Sequence, residues 1–168
     1  MTLKNSILIL TTGGTIDKQY FDALSRYQIT DTMVTKLLEV ARVTHPFEIR
    51  EVLRKDSIEL TDDDRARVLE QVRRAKHSRI VITHGTDTMT LTARPLAKIP
   101  DKTIVLTGAL APARFSESDA SFNLGMAFAA AQTASPGVYI TINGTVFRAE
   151  DVEKDRDRGC FVLKRDAP

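Results

Sequence analysis

Short apolar runs rich in β-branched residues recur along the chain at Ile7 to Leu10, Phe47 to Leu53, Arg79 to Thr83, Thr103 to Thr107 and Val138 to Ile142. Each is bounded by Gly, Pro or polar residues, the pattern of strands buried on both faces. Between them the spacing becomes helical. Asp31 precedes TMVTKLLEVARV, whose apolar positions fall on one helical face. TDDDRARVLEQVRRAKH opens with Thr61 as an N-cap, places acids in the first turn and gathers bases toward its end. MTLTARPLAK reads as a further helix, and SDASFNLGMAFAAAQTA as a small-residue helix closed by Pro136-Gly137. Strands alternating with helices predict an α/β fold with a mainly parallel sheet.

In such sheets ligands bind beyond the carboxyl ends of the strands. Those ends carry the unusual residues here: TTGGTID after the first run, RKDSIELTD after the second, THGTDTMT after the third, TGALAPARFSESD after the fourth and NGTVFRAEDVEKDRDRG after the fifth. Helix capping and turn formation explain some of these hydroxyls and carboxylates. Their concentration on one rim predicts a site there.

Composition narrows the partners. The 168 residues suit one domain spanning 1–168. With 24 Lys+Arg against 22 Asp+Glu, interleaved in sign, the chain offers no basic strip for nucleic acid. Cys160 is the only cysteine, so an internal disulfide and a thiolate metal cluster are excluded, and a reducing, cytoplasmic setting is expected. No apolar run reaches membrane-spanning length, and SILILTT is too short for a signal segment.

The glycines of TTGGTI permit close backbone approach, so nearby amides could surround an anion or an oxyanion. Neither the Walker spacing nor the dinucleotide fingerprint is present. THGTDT sets Thr86 and Asp87 just after a strand, where an acid can orient a base or grip an ammonium group. His45, His77 and His84 have no metal-ligand spacing, and His84 reads as a hydrogen-bonded structural residue. Lys154 lies in EDVEKDRDRG, which charge patterning alone reads as a solvated surface loop.

TGGTI (Thr12 to Ile16), THGTDTM (Thr83 to Met89) and VLTGALAPARFSESDASFNL (Val105 to Leu124) together resemble the N-terminal domain of the bacterial-type asparaginase/glutaminase family, from Ile7 to about Phe161. The family's C-terminal domain has no counterpart in these residues, so the chain most resembles the short-chain, single-domain members. The resemblance implies a parallel sheet with helices on both faces and one left-handed crossover, and hydrolysis of the L-asparagine side-chain amide without metal or organic cofactor. It implies a small-molecule substrate and a homodimer or other homo-oligomer.

Position by position, the resemblance makes Thr15 the first catalytic threonine, Thr86 the second, Asp87 the ligand of the substrate α-amino group, and Lys154 the catalytic lysine. Ser57 aligns with the serine that binds the α-carboxylate, with Asp56 before it. The activating tyrosine is Tyr20, at the short-chain spacing, or Tyr27, at the two-domain spacing; Tyr20 is preferred. Amides around Gly14 and from Gly85 to Thr86 are the candidate oxyanion donors. Ile58 stands where the family usually has a hydrogen-bonding residue, which leaves asparagine against glutamine open, with asparagine favoured. A binding module for asparagine or aspartate, or a hydrolase of another small amide, are the competing readings.

Overall fold

The computed structural model describes residues 5–166, so residues 1–4 and 167–168 of the expected domain lie outside the described residues. Strand β1 (Ile7–Gly13) is buried at every position, as its unbroken apolar start predicts. After it come β2 (Lys18–Phe21), β3 (Arg26–Ile29), α1 (Val34–Val40), β4 (Phe47–Lys55), α2 (Asp62–Arg74), β5 (Arg79–Thr83), α3 (Met89–Leu96), β6 (Thr103–Thr107), α4 (Ala120–Thr133), β7 (Gly137–Ile142), β8 (Thr145–Arg148), β9 (Val152–Asp155) and β10 (Cys160–Leu163). All five expected strands and all four expected helices are present. Helix α2 starts as predicted: Thr61 Oγ1 accepts from the Asp64 amide, and the Asp64 carboxylate accepts from the Thr61 amide.

The main sheet runs in the order β4-β1-β5-β6-β7-β8. Its first five strands pair in parallel, and β8 pairs antiparallel with β7. Asn143 and Gly144 join β7 to β8, both with positive φ, as a two-residue hairpin turn requires. Alternation along the strands divides the core. Leu8, Leu10, Ile80, Ile82, Ile104 and Leu106 meet Val68 and Val72 of α2 and Met89, Ala93 and Leu96 of α3. On the opposite face Ile7, Ile9, Val81 and Val105 meet Val34 and Leu38 of α1 and Leu124, Ala127 and Phe128 of α4. Each fully buried aliphatic side chain contributes about 1.5–3 kcal/mol.

Helix layers fix the hand of the crossovers. The steps through α1, to β4, and through α2, to β5, run in opposite directions on opposite faces, so they share a hand. The step through α3 repeats that of α2 in direction and face. The step from β6 to β7 keeps the direction but places α4 on the α1 face, so its hand is reversed. Three crossovers follow the usual right-handed rule, and β6-α4-β7 is the left-handed exception.

Chain order reverses about β1: the chain leaves β1 for β4 on one side, whereas β5 lies on the other. Loops leaving β1 and β5 therefore diverge and open a crevice at their carboxyl ends, the usual ligand position in such sheets.

Candidate active site

Two glycines build the floor of this crevice. Gly14 has φ +85°, and a Cβ there would lie 2.4 Å from the Gly85 amide nitrogen. A Cβ on Gly85 would in turn lie 2.6 Å from both Cβ and Oγ of Ser57. The loops after β1, β4 and β5 thus touch through positions that tolerate no side chain. Thr15 and Thr86, the residues that follow the two glycines, stand on adjoining backbones. Gly13, at φ +96°, makes the same approach to Lys55 at the end of β4.

Lys154 enters from β9. Residues Val152 and Phe161 of the β9–β10 pair are buried in the core beside α2 and α3, and Asn143 Oδ1 accepts from the Phe161 amide at 2.9 Å. Because Lys154 pairs with Phe161 across the strands, anchoring one fixes the other. The Lys154 ammonium donates to Thr86 Oγ1 at 2.7 Å and to Asp87 Oδ1 at 2.8 Å. Its side chain is 16% exposed, and that of Asp87 37%. The surface-loop pattern of EDVEKDRDRG thus conceals a strand with a half-buried lysine.

Beneath the triad, His84 is fully buried. Its Nδ1 meets the Gly85 carbonyl and its Nε2 meets the Thr92 hydroxyl, each at 2.7 Å. A carbonyl only accepts, so the neutral ring carries its proton on Nδ1, and Nε2 accepts from Thr92. Burial lowers the His84 pKa to about 4, with the Gly85 carbonyl opposing that fall. His84 therefore braces the turn that carries Thr86 and Asp87.

Ser57 is 1% exposed, and its hydroxyl has no hydrogen-bond partner among the described residues. Its carbonyl accepts from Thr88 Oγ1 at 2.8 Å, which ties the loop after β4 to the loop after β5. Asp56 faces elsewhere: Lys18 lies 2.6 Å from its Oδ2, and its Oδ1 accepts from the Ile58 amide. Partial burial would raise its pKa, but the Lys18 bond, the Ile58 and Ser57 amides and the Lys18 charge together hold it below the ordinary value.

Tyr20 and Tyr27 are opposed in the β2–β3 hairpin, with ring centroids 5.2 Å apart, and Tyr27 lies 6.1 Å from the ring of Phe115. Both are about half exposed, so the geometry does not rank them. The Gly14 amide donates to the Lys55 carbonyl at 3.0 Å, which removes it from the expected oxyanion donors and leaves the amides of Thr15, Gly85 and Thr86. The structure brings together Thr86, Asp87 and Lys154 by direct contact, and Gly14, Gly85 and Ser57 by close packing. Thr15 and the tyrosines flank that set without a hydrogen bond to it among the described residues.

Two contributors escaped the sequence reading. Thr88, the last residue of THGTDT, and Lys18, the residue after TGGTID, hold the Ser57 loop, a role that neither motif indicated. Among the described residues no group of three or more His, Cys, Asp and Glu side chains is placed to hold a metal ion, and no helix is long and apolar enough to cross a membrane.

Comparisons with known proteins agree with this fold. The L-asparaginase of Thermococcus kodakarensis is 31% identical over 168 residues, covering 94% of this chain and 50% of that protein. A glutaminase-asparaginase of Acinetobacter glutaminasificans is 32% identical over 165 residues, covering 90% and 50%. The structure of L-asparaginase I from Vibrio cholerae superposes with a TM-score of 0.82 at 26% identity, covering 95% of this chain and 51% of that one. The chain spans about half the length of the curated relatives it matches. A family model described as asparaginase, N-terminal, matches residues 6–161, and the chain belongs to that family.

Proposed function

We propose that this protein is an L-asparaginase, hydrolysing the side-chain amide of L-asparagine to L-aspartate and ammonia. The observation that carries this reading is the Lys154 ammonium held at 2.7 Å from Thr86 and 2.8 Å from Asp87, on the crevice whose glycine floor leads into Thr15. A surface lysine has no need of such a partner set.

An amide is a poor electrophile, so hydrolysis requires a nucleophile, a proton path and stabilisation of the tetrahedral oxyanion. Ser57 carries an unpartnered buried hydroxyl suited to donate to the substrate α-carboxylate. Asp87 holds Lys154 through Oδ1, which leaves Oδ2 for the substrate α-ammonium. Thr15 attacks the amide carbon with its proton relayed through a hairpin tyrosine, and the oxyanion is met by the backbone amides left free there, those of Thr15, Gly85 and Thr86. The C–N bond then breaks, ammonia leaves with the relayed proton, and a threonyl ester remains. Lys154, Thr86 and Asp87 handle the proton of the water that cleaves this ester, regenerating the Thr15 hydroxyl and releasing aspartate. In this reading residues 1–168 act as one catalytic domain that needs no metal or organic cofactor, in a cytoplasmic homodimer or other homo-oligomer.

Ammonia release from L-asparagine and L-glutamine, measured for wild type, Thr15→Ala and Lys154→Met, tests the assignment. The expected result is turnover of asparagine in preference to glutamine and a loss of at least ~100-fold in each variant. Aspartate binding with no ammonia at any enzyme concentration would refute it in favour of a binding module.

A further inference from the structure

No side chain from Lys18 to Ile29 is buried. Isolated two-stranded hairpins are at best marginally stable in water, so the placement of Tyr20 and Tyr27 depends on what secures the hairpin's base. Asp17 stands at that base. Only 2% exposed, it accepts through Oδ1 from the Met33 amide at 2.8 Å and from Thr32 Oγ1 at 3.1 Å. Its carbonyl accepts from the amide of Thr30 at 3.0 Å and from the Thr30 hydroxyl at 3.1 Å. Thr32 Oγ1 also accepts from the Val34 amide, and Arg114 donates to Thr30 Oγ1 at 3.0 Å. One residue therefore joins the entry of the hairpin to its exit and to the first turn of α1.

This arrangement opposes the solvation preference of a carboxylate. Burial raises the Asp17 pKa, while the Met33 amide, the Thr32 hydroxyl and the Arg114 charge act against that rise. A buried acid two residues after Thr15, standing at the entry of the hairpin and bonded through its carboxylate to Thr32 and Met33 beyond the exit, supplies fixed geometry where the hairpin has no core of its own.

We infer that Asp17 is a positioning residue, whose carboxylate clamps the base of the β2–β3 hairpin and so sets the two tyrosines against Thr15. Its kinetic consequence rests on the asparaginase reading; the clamp does not.

Arg26, exposed on the hairpin, reports opening directly. Under native conditions trypsin should cleave Asp17→Ala after Arg26 about tenfold or more faster than wild type. Asp17→Asn retains an acceptor for Met33 and Thr32 and should remain near wild type. In ammonia release, Asp17→Ala should lower kcat about tenfold. Added to whichever of Tyr20→Phe and Tyr27→Phe has the larger effect, it should cost little more, because it acts through that tyrosine. Unchanged cleavage at Arg26 with a lowered melting temperature would reduce Asp17 to a cap of α1 and overturn the inference, as would kinetic losses that multiply. Should Asp17→Ala fail to fold, Thr32→Val removes one Oδ1 donor and carries the cleavage measurement. A wild type that releases no ammonia would end the asparaginase reading, while the cleavage rates still decide the clamp.

Discussion

Gly85→Ala places a methyl group 2.6 Å from Ser57 Cβ and Oγ and 3.0 Å from its amide nitrogen. Ordinary carbon contacts begin near roughly 3.5 Å, so the two loops would have to part by about 1 Å. Ser57 has little freedom to yield: it is 1% exposed, its carbonyl is held by Thr88, and its neighbour Asp56 is held by Lys18. Gly85 does not occupy the left-handed region, so the clash accounts for the whole effect. Overpacking of this kind costs about 1–3 kcal/mol, equivalent to a fall in melting temperature of roughly 2–12 °C for a chain of this size. Thermal melts followed by circular dichroism would measure it, in a cycle of wild type, Gly85→Ala, Ser57→Gly and the double variant. Ser57→Gly removes both offending atoms, so the double variant should recover about 1 kcal/mol or more relative to the sum of the singles. Strict additivity, or a Gly85→Ala variant as stable as wild type, would refute the packed glycine floor.

Ser57→Ala removes a buried hydroxyl with no partner among the described residues, so stability should hold or rise by up to ~1 kcal/mol in urea titrations, while KM for asparagine rises more than kcat falls. Replacing Tyr20 and Tyr27 separately by Phe should give unequal losses of turnover, the larger marking the residue that relays the proton; equal and negligible losses would remove both from the mechanism. His84 has a folded pKa of about 4 against an ordinary 6.5, so the unfolded state binds the extra proton between those values. Its stabilisation is therefore intact above about pH 6.5 and is lost as pH falls toward about 4, a change of about 3 kcal/mol. Urea unfolding of wild type and His84→Gln across that window should show a dependence steeper in wild type by about that amount, the remainder coming from groups such as His77, whose pKa burial also lowers.

The five parallel strands of the sheet were legible because burial on both faces leaves short apolar runs, and α2 because its cap, acids and bases agree. The turn between β7 and β8 was also written in the chain, as Asn143-Gly144, yet the residues after it read as a loop because their charges dominate. Among the described residues Phe147, Val152 and Phe161 are the segment's buried core side chains, too few and too widely spaced for a period to emerge. The β2–β3 hairpin was hidden for a related reason: with no buried side chain, its strands carry no inward-outward alternation. Resemblance, and not periodicity, singled out Lys154, and the fold accounts for its position through the pairing with Phe161. The obstacle at Asp17 was different. TGGTID places it in a loop rich in polar residues, where an acid reads as solvated, and its partners Thr32 and Met33 lie beyond an entire hairpin.

The reversed hand of β6-α4-β7 left no trace in any local pattern, yet the candidate site depends on it. A right-handed connection would carry α4 to the face of α2 and α3, and the loop after β6 would follow it away from β1. Because α4 lies with α1 instead, that loop crosses toward the hairpin. Its Ala113 amide donates to the Ile16 carbonyl at 3.1 Å, its Arg114 donates to Thr30, and its Phe115 meets the Tyr27 ring. Ile16, directly after Thr15, is consequently buried against Ala109 and Ala120 rather than left in solvent. A topological exception to the usual handedness thus gives the segment after β1 a wall on the side of α1 and α4.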